Sequence, residues 1–318
     1  AEQPFTVYLQ VIEELASAWL SVALGDSVHT LSAHALANFG TDDQKSALLP
    51  DMIGGELLGA YCLSEPGSGS DAAALVTRAE SIDGGYRLNG TKAWITHGGV
   101  ADFYTVMART GEHRTKGISC FLVEGDSDGL SAAAPEDKMG MRGSRTAQVI
   151  LDDVAIPADR LIGAEGEGFT IAMAALDAGR LGIAACAVGV AQAALTEAVA
   201  YANTRKQFGQ AIAEFQGISF MIADMATGVE AARSLYLSAA RRKDAGLDYS
   251  TQAAMAKLFA TDMCMQVTTN AVQILGGAGY VQDFPAERYF RESKVLQIVE
   301  GTNQVQRLVI GRNVLADV

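Results

Sequence analysis

The chain has 318 residues, 49% of them hydrophobic and 19% charged, with a formal net charge of −13. That is a foldable composition, neither disordered nor collagen-like, and at roughly 150 residues per domain it amounts to about two domains' worth of core. The acidity excludes general binding to nucleic acid or an anionic membrane, where like charges repel, but leaves room for a phosphorylated ligand held by a few local donors.

The first zone, Val7 to about Phe39, is rich in Ala and Leu and predicts helices broken near Gly25-Asp26-Ser27. Thr41, followed three residues later by Gln44, predicts a capped helix that stops before Gly54-Gly55. From about Gly59 to Pro157 the texture changes to short apolar runs punctuated by Gly, Thr and Ser. Asp83-Gly84-Gly85 marks a turn, with strand candidates at Tyr86–Asn89, Tyr104 and Val106, Ile118–Val123 and Val149–Leu151. Short strands at this spacing predict an antiparallel barrel or sandwich, not a doubly wound nucleotide fold. From Gly166 onward the pattern is helical again, with helices expected at about 167–203, 213–244 and 250–275 and a last one near Asn303. Phe215, Ile218, Ile222, Met225 and Val229 mark one buried helix face. The apolar stretch Leu181–Leu195, bounded by Arg180 and Glu197, is shorter than the ~20 residues a bilayer span needs and predicts a buried helix.

Cys62, Cys120, Cys186 and Cys264 show no C-x-x-C spacing, so buried, reduced thiols in a cytosolic or similar compartment are expected rather than disulfides or a zinc site. His29 and His34 have the wrong helical spacing for two ligands, and His97 and His113 are isolated, so no metal site is expected. No H-E-x-x-H, G-x-S-x-G or P-loop supports a metal hydrolase, serine hydrolase or NTPase. Ala1-Glu2-Gln3-Pro4 lacks the basic and apolar regions of a signal peptide.

Five segments could carry chemistry, and each also has an ordinary reading. Tyr61-Cys62-Leu63-Ser64-Glu65-Pro66-Gly67-Ser68-Gly69-Ser70-Asp71 is either a polar turn or a loop whose small residues let backbone N–H groups approach a ligand. Trp94, beside Thr96, either packs in a core or stacks on a flat heterocycle. Arg205-Lys206-Gln207-Phe208-Gly209 either complements a helix C-terminus or reaches a pyrophosphate. Gln273-Ile274-Leu275-Gly276-Gly277-Ala278-Gly279 ends a helix or lays backbone against a diphosphate. Glu300, between an apolar run and Gly301, either caps a helix or is a desolvated base.

Together, in this order and spacing, these motifs resemble those of the acyl-CoA dehydrogenase family, and most resemble its short-chain or branched short-chain types. The resemblance runs over almost the whole chain and includes Asp283, Arg288 and Glu292 in the run from Gln273. It implies a mostly helical α+β chain: an incomplete N-terminal helical domain (1–58), a middle antiparallel β-barrel (59–158) and a C-terminal four-helix bundle (159–318). It implies FAD, held between barrel and bundle. Tyr61, Leu63, Ser64, Ser70, Trp94 and Thr96 match FAD positions on the β-domain side, and Thr302 and Gln304 match the last FAD contacts. Arg205, Phe208, Gln216, Gln273 and Gly277 match residues that reach the FAD of a neighbouring subunit, so a homotetramer, a dimer of dimers, is implied.

The resemblance further implies that Glu300 removes the α-proton of an acyl-CoA thioester while the β-hydrogen leaves as hydride to flavin N5, giving the trans-2-enoyl-CoA. Ser70, Asp177, Arg180 and Gly301 match substrate-side positions, although Asp177 and Arg180 also read as a local helix ion pair. Relatives that carry the base on the helix at position 179 have a carboxylate there, and Gly179 cannot replace it. Val299 stands where many relatives have tyrosine, which changes the expected pocket wall. Electron-transfer flavoprotein is the expected acceptor, with an oxidase using oxygen and a silent acyl-CoA or flavin-binding scaffold as alternatives. The implied compartment is the cytoplasm of a bacterium or the mitochondrial matrix of a eukaryote, without secretion. Val7–Phe39 resembles the inside of the N-terminal domain, so a longer chain is expected.

Overall fold

The computed structural model describes residues 3–316. Three helices come first: α1 (Phe5–Ala18), α2 (Leu20–Phe39) and α3 (Asp42–Gly54). Strands β1 (Gly59–Cys62), β2 (Arg78–Ile82), β3 (Gly85–Thr96), β4 (Phe103–Arg109), β5 (Ile118–Glu124), β6 (Leu130–Ala132), β7 (Thr146–Pro157) and β8 (Leu161–Ile162) follow. The chain then forms α4 (Gly168–Thr204), a hairpin of β9 (Lys206–Gln207) and β10 (Gln210–Ala211), and helices α5 (Gln216–Asp244), α6 (Ser250–Leu275), α7 (Ala286–Leu296) and α8 (Asn303–Ala316). Two compact units result: a helical one made of the chain up to Leu24, Lys138–Arg142 and everything from Asp177, and a sheet unit made of Gly25–Asp137 and Gly143–Leu176.

In the sheet unit the strand order is β6-β7-β3-β2-β4-β5-β8, with β1 also paired to β4. The expected antiparallel barrel is corrected on both counts. The sheet is mixed, because β1 runs parallel to β4 from Gly59↔Phe103 to Cys62↔Val106, and β2 meets β4 in parallel at Arg78↔Arg109. It is also open, with the short strands β6 and β8 at its ends. The period-2 pattern within a strand is the same in open and closed sheets, so alternation could not separate them. Strand β4 is buried on both sides. Tyr104, Val106 and Ala108 join Leu88, Phe121, Val149 and Val154 on one face. Phe103 and Met107 join Ile118, Cys120, Leu122 and the helix residues Leu36, Met52 and Ile171 on the other.

Thr41 caps α3 as expected, its hydroxyl accepting from the Gln44 N–H at 3.2 Å while the Gln44 side chain accepts from the Thr41 N–H at 2.8 Å. The break expected near Gly25 is instead at Trp19, whose backbone is extended, and α2 runs on through Gly25. Gly25 serves packing: a Cβ there would sit 3.2 Å from His97 Nε2.

The helices expected in the C-terminal half are present as α4, α5, α6 and α8; α7 was not foreseen. In the helical unit α5 packs on α6, and α6 also contacts α7 and α8. On α5, Met225 and Val229 are buried with Ala232 and Tyr236, whereas Phe215, Ile218 and Ile222 are only partly so; the buried face starts at Met225, not at Phe215 as its periodicity implied. Helix α4 is long and apolar enough to cross a bilayer, but 67% of its most apolar window is buried inside the fold, as a core helix requires. Helix α1 is tied to α5 by Glu13, which accepts from Tyr236 Oη and, at 2.9 Å, from Arg233 Nε. All four cysteines are buried, and none is in a disulfide.

Candidate active site

In the helical unit, α7 ends at Leu296 and α8 starts at Asn303. The turn between them holds Glu300 (φ 52°) and Gly301 (φ 87°), both left-handed. A glutamate in that region is strained by on the order of 1–2 kcal/mol, so surrounding contacts must hold it. They do. Gln306 Nε2 donates to Gly301 O at 2.8 Å and to Glu300 O at 3.3 Å. Lys257 Nζ, from α6, donates to Gly301 O and to Asn303 Oδ1, each at 2.9 Å. Asn303 donates in turn to Thr261 Oγ1 at 2.8 Å and Asp262 Oδ1 at 2.7 Å.

The turn directs the Glu300 carboxyl to the place a side chain at Gly179 on α4 would take: a Cβ there would overlap Oε2 and lie 2.8 Å from Cδ. Both Glu300 carboxyl oxygens are buried and make no hydrogen bond among the described residues. Burial therefore pushes the carboxyl up to about 7, against the opposing pull of Lys257 and then Arg180. A desolvated carboxylate with free lone pairs and a neutral-range pKa is suited to taking a proton. Arg180 Nη1 donates to Asp177 Oδ1, the ion pair foreseen on α4, and Ser250 Oγ donates to the same oxygen at 3.1 Å. Burial raises the Asp177 carboxyl, with Arg180 opposing. Of the expected residues, Glu300, Gly301, Asp177 and Arg180 are thus gathered on neighbouring segments of this unit.

The sheet unit brings together another group. Strand β1 carries Tyr61, whose hydroxyl donates to Ala172 O at 3.5 Å, and leads into buried Leu63 and half-buried Ser64. Ser64 O accepts from Ala93 N at 2.9 Å, which lays the start of the loop beside β3. A register shift between Lys92 and Ile95 and a left-handed Trp94 (φ 63°) form a bulge there. The bulge turns the Trp94 indole outward, 67% exposed, so Trp94 is not a core residue. Thr96 closes β3 and is half-buried, and Ser70 is exposed on the loop. Under the loop lies a pair that the sequence reading missed. Lys92 Nζ, with no exposed surface, donates to Glu65 Oε1 at 2.8 Å and to Leu63 O at 3.2 Å. Glu65 also accepts from the N–H groups of Val76 (2.6 Å) and Thr77 (3.0 Å). Burial disfavours its charge, but Lys92 and these donors outweigh that and hold the carboxyl below its ordinary value.

The remaining expected residues are also in the helical unit, exposed except for the half-buried Thr302. Arg205 follows α4, and Phe208 (φ 51°) with Gly209 (φ 88°) forms the tight turn of the β9–β10 hairpin. The Phe208 ring is 94% exposed and meets Phe215 edge-on at 6.1 Å. Gln216 opens α5, Gln273 is in the last turn of α6, and Gly277 is in the 3-10 turn Gly276–Tyr280 that follows. Thr302 Oγ1 accepts from Val305 N at 3.3 Å at the start of α8, and Gln304 is exposed in its first turn. Lys257, Asn303 and Gln306 were not foreseen. The available signal was Lys257 itself, a lone cation among Ala253, Ala256 and Ala260 on the buried face of α6.

Three acyl-CoA dehydrogenase family models match the chain: the N-terminal domain over residues 1–56, the middle domain over 60–154 and the C-terminal domain over 166–315. A short-chain-specific acyl-CoA dehydrogenase of Megasphaera elsdenii is 45% identical over 96% of this chain and 80% of its own length. The solved butyryl-CoA dehydrogenase of Megasphaera elsdenii superposes with a TM-score of 0.96 at 44% identity, covering 97% of this chain and 81% of that one. A chain solved in work on the electron transferring flavoprotein of Acidaminococcus fermentans gives 0.98 at 46% identity, covering 99% and 83%. PigA with FAD and proline gives 0.96 at 29%, covering 100% and 84%.

Proposed function

Since this chain belongs to the acyl-CoA dehydrogenase family and is an enzyme of that class, we propose that it converts a short-chain acyl-CoA thioester to its trans-2-enoyl-CoA, with Glu300 as the base that removes the α-proton. The observation that carries this reading is the Glu300 carboxyl itself: buried, without hydrogen-bond partners among the described residues, pushed up to about 7, and seated in the space that Gly179 leaves open. The short-chain class is supported by the likeness to the butyryl-CoA dehydrogenase. The family's three-domain division, 1–58, 59–158 and 159–318, belongs to the same proposal.

The residues fit FAD. Gly67, Gly69 and Gly277 have nothing within 4 Å of where a Cβ would stand, and none has a left-handed φ, so neither packing nor backbone demands glycine there. The backbone there is open to close approach by a ligand. Trp94 presents a flat apolar ring to the outside, where a heterocycle can stack. We assign Tyr61, Leu63, Ser64, Ser70, Trp94, Thr96, Thr302 and Gln304 to the cofactor within one subunit. Arg205, Phe208, Gln216, Gln273 and Gly277 go to the cofactor of a neighbouring subunit in a dimer of dimers, a role that suits the exposed Phe208 ring. When bound, FAD would supply the two-electron acceptor for the β-hydride.

The protein's own part is the proton. An α-hydrogen beside a thioester is too weakly acidic for an ordinary solvated carboxylate. Desolvation raises the basicity of Glu300, and the Glu300 backbone N–H is assigned to the thioester oxygen, where enolate-like charge develops. Ser70, Asp177, Arg180 and Gly301 are assigned to the substrate side. An electron-transfer flavoprotein is the proposed acceptor of the electrons. Anaerobic addition of butyryl-CoA or isobutyryl-CoA to the yellow holoenzyme is expected to bleach the flavin. In E300Q, with its flavin spectrum intact, bleaching is expected to fail, and near-normal turnover of that variant would refute the base. Peroxide formation when the reduced enzyme meets air would replace the flavoprotein acceptor with oxygen.

A further inference from the structure

Lys257 has no exposed surface, although a buried ammonium is costly unless its surroundings compensate. Neither of its two hydrogen-bond acceptors is a carboxylate: one is the Gly301 carbonyl, the other the Asn303 amide oxygen, and both belong to the segment that carries Glu300. Hydrogen bonding alone could be met by a neutral side chain, as Gln306 does for the same Gly301 carbonyl. What calls for a cation is Glu300, whose two oxygens have no donor among the described residues.

We propose that Lys257 is the positioning residue of the catalytic base, pinning the left-handed Glu300–Gly301 turn and supplying the charge that lets Glu300 ionise in a dry setting. The inference rests on Glu300 being the base. Among the charges acting on Glu300, Lys257 is the strongest, ahead of Arg180; in return Glu300 is the strongest charge favouring protonated Lys257, which burial pushes down to about 8. Each therefore favours the charged form of the other. The other charges acting on them are Arg180 of α4, paired with Asp177, and Asp262 of α6, paired with Arg307 of α8 at 3.0 Å; Lys294 of α7 donates instead to Gln297 at 2.8 Å. None of these donates to the Gly301 carbonyl.

The test is infrared titration of the holoenzyme. The band of a protonated carboxyl that is present in wild type and absent from E300Q reports Glu300 directly, without turnover. In K257M its disappearance is expected about one pH unit higher than in wild type, and the acid limb of anaerobic flavin reduction by butyryl-CoA should move with it. In K257R, which keeps the charge, both should stay near their wild-type pH. If K257M does not fold, K257Q, neutral but able to donate, takes its place against K257R. A Glu300 band that titrates at the wild-type pH in a neutral variant overturns the proposal, as does equal displacement in K257R. The two readings fail separately: an active E300Q removes the base assignment, whereas an inactive E300Q with an unmoved band in K257M removes only the role of Lys257.

Discussion

Gly179 on α4 and Glu300 between α7 and α8 share one space: the carboxyl of the second stands where the first would carry a Cβ. A side chain at 179 and the observed seat of Glu300 are therefore mutually exclusive, and the glycine is needed for the position of the base rather than for helix geometry. G179A is expected to keep the fold and the flavin spectrum but to slow flavin reduction by about 100-fold, the scale of a 1 Å misplacement at a reacting centre. Stopped-flow reduction by butyryl-CoA measures it, and a G179A enzyme within threefold of wild type would show that Glu300 moves at no cost.

Glu300 also couples stability to pH. Its folded value, about 7, is raised above its ordinary 4.5, so the folded state holds the proton more tightly than the unfolded chain. The stability associated with that proton is complete below about 4.5 and is lost as pH rises through about 7. E300Q, which mimics the protonated form, should therefore melt at a higher temperature than wild type at pH 8 and near the same temperature at pH 4.5. Calorimetry at the two pH values checks the sign. In wild type, substrate-driven flavin reduction should fall as pH drops below about 7, because the base is then protonated.

The Lys92–Glu65 pair, with side-chain exposures of 0% and 3%, supports the loop of Ser64 and Ser70. K92M strands the Glu65 carboxylate and is expected to cost about 3–5 kcal/mol. Urea unfolding gives the value, and bound flavin per chain should fall with it. The double variant E65L/K92M should recover only part, because Val76 and Thr77 then lose the carboxylate that accepts their N–H groups. Full recovery would mean that the pair contributes nothing beyond filling space.

Gly189 brings α4 against α1: a Cβ there would overlap Glu13 O and come within 2.9 Å of Ala16 Cβ and 3.0 Å of Ser17 N. The obstacles are mostly backbone and cannot swing away. G189A is expected to lower stability by about 1–3 kcal/mol, read as a drop in the thermal midpoint with the kinetics of flavin reduction unchanged at low temperature.

Much of this protein was determined locally, in the sequence. Thr41 and Gln44 cap α3 because their spacing satisfies N-terminal N–H groups reciprocally, wherever the helix sits. The long helices and most strands follow from periodicity, and the motif order from Tyr61 to Gln304 marked the family that the comparisons show. Other features depend on partners distant in the chain. Gly25 looks like a helix breaker until His97 is placed beside it, and Trp94 looks like core until a bulge turns it outward. Strand alternation carries no record of whether a sheet closes, so the mixed, open sheet had to come from its pairing. The sequence could nominate Glu300. Only the tertiary structure brought Gly179, Lys257 and Gln306 to it from three other helices, and a carboxyl's pKa is set by how much water and which charges surround it in space.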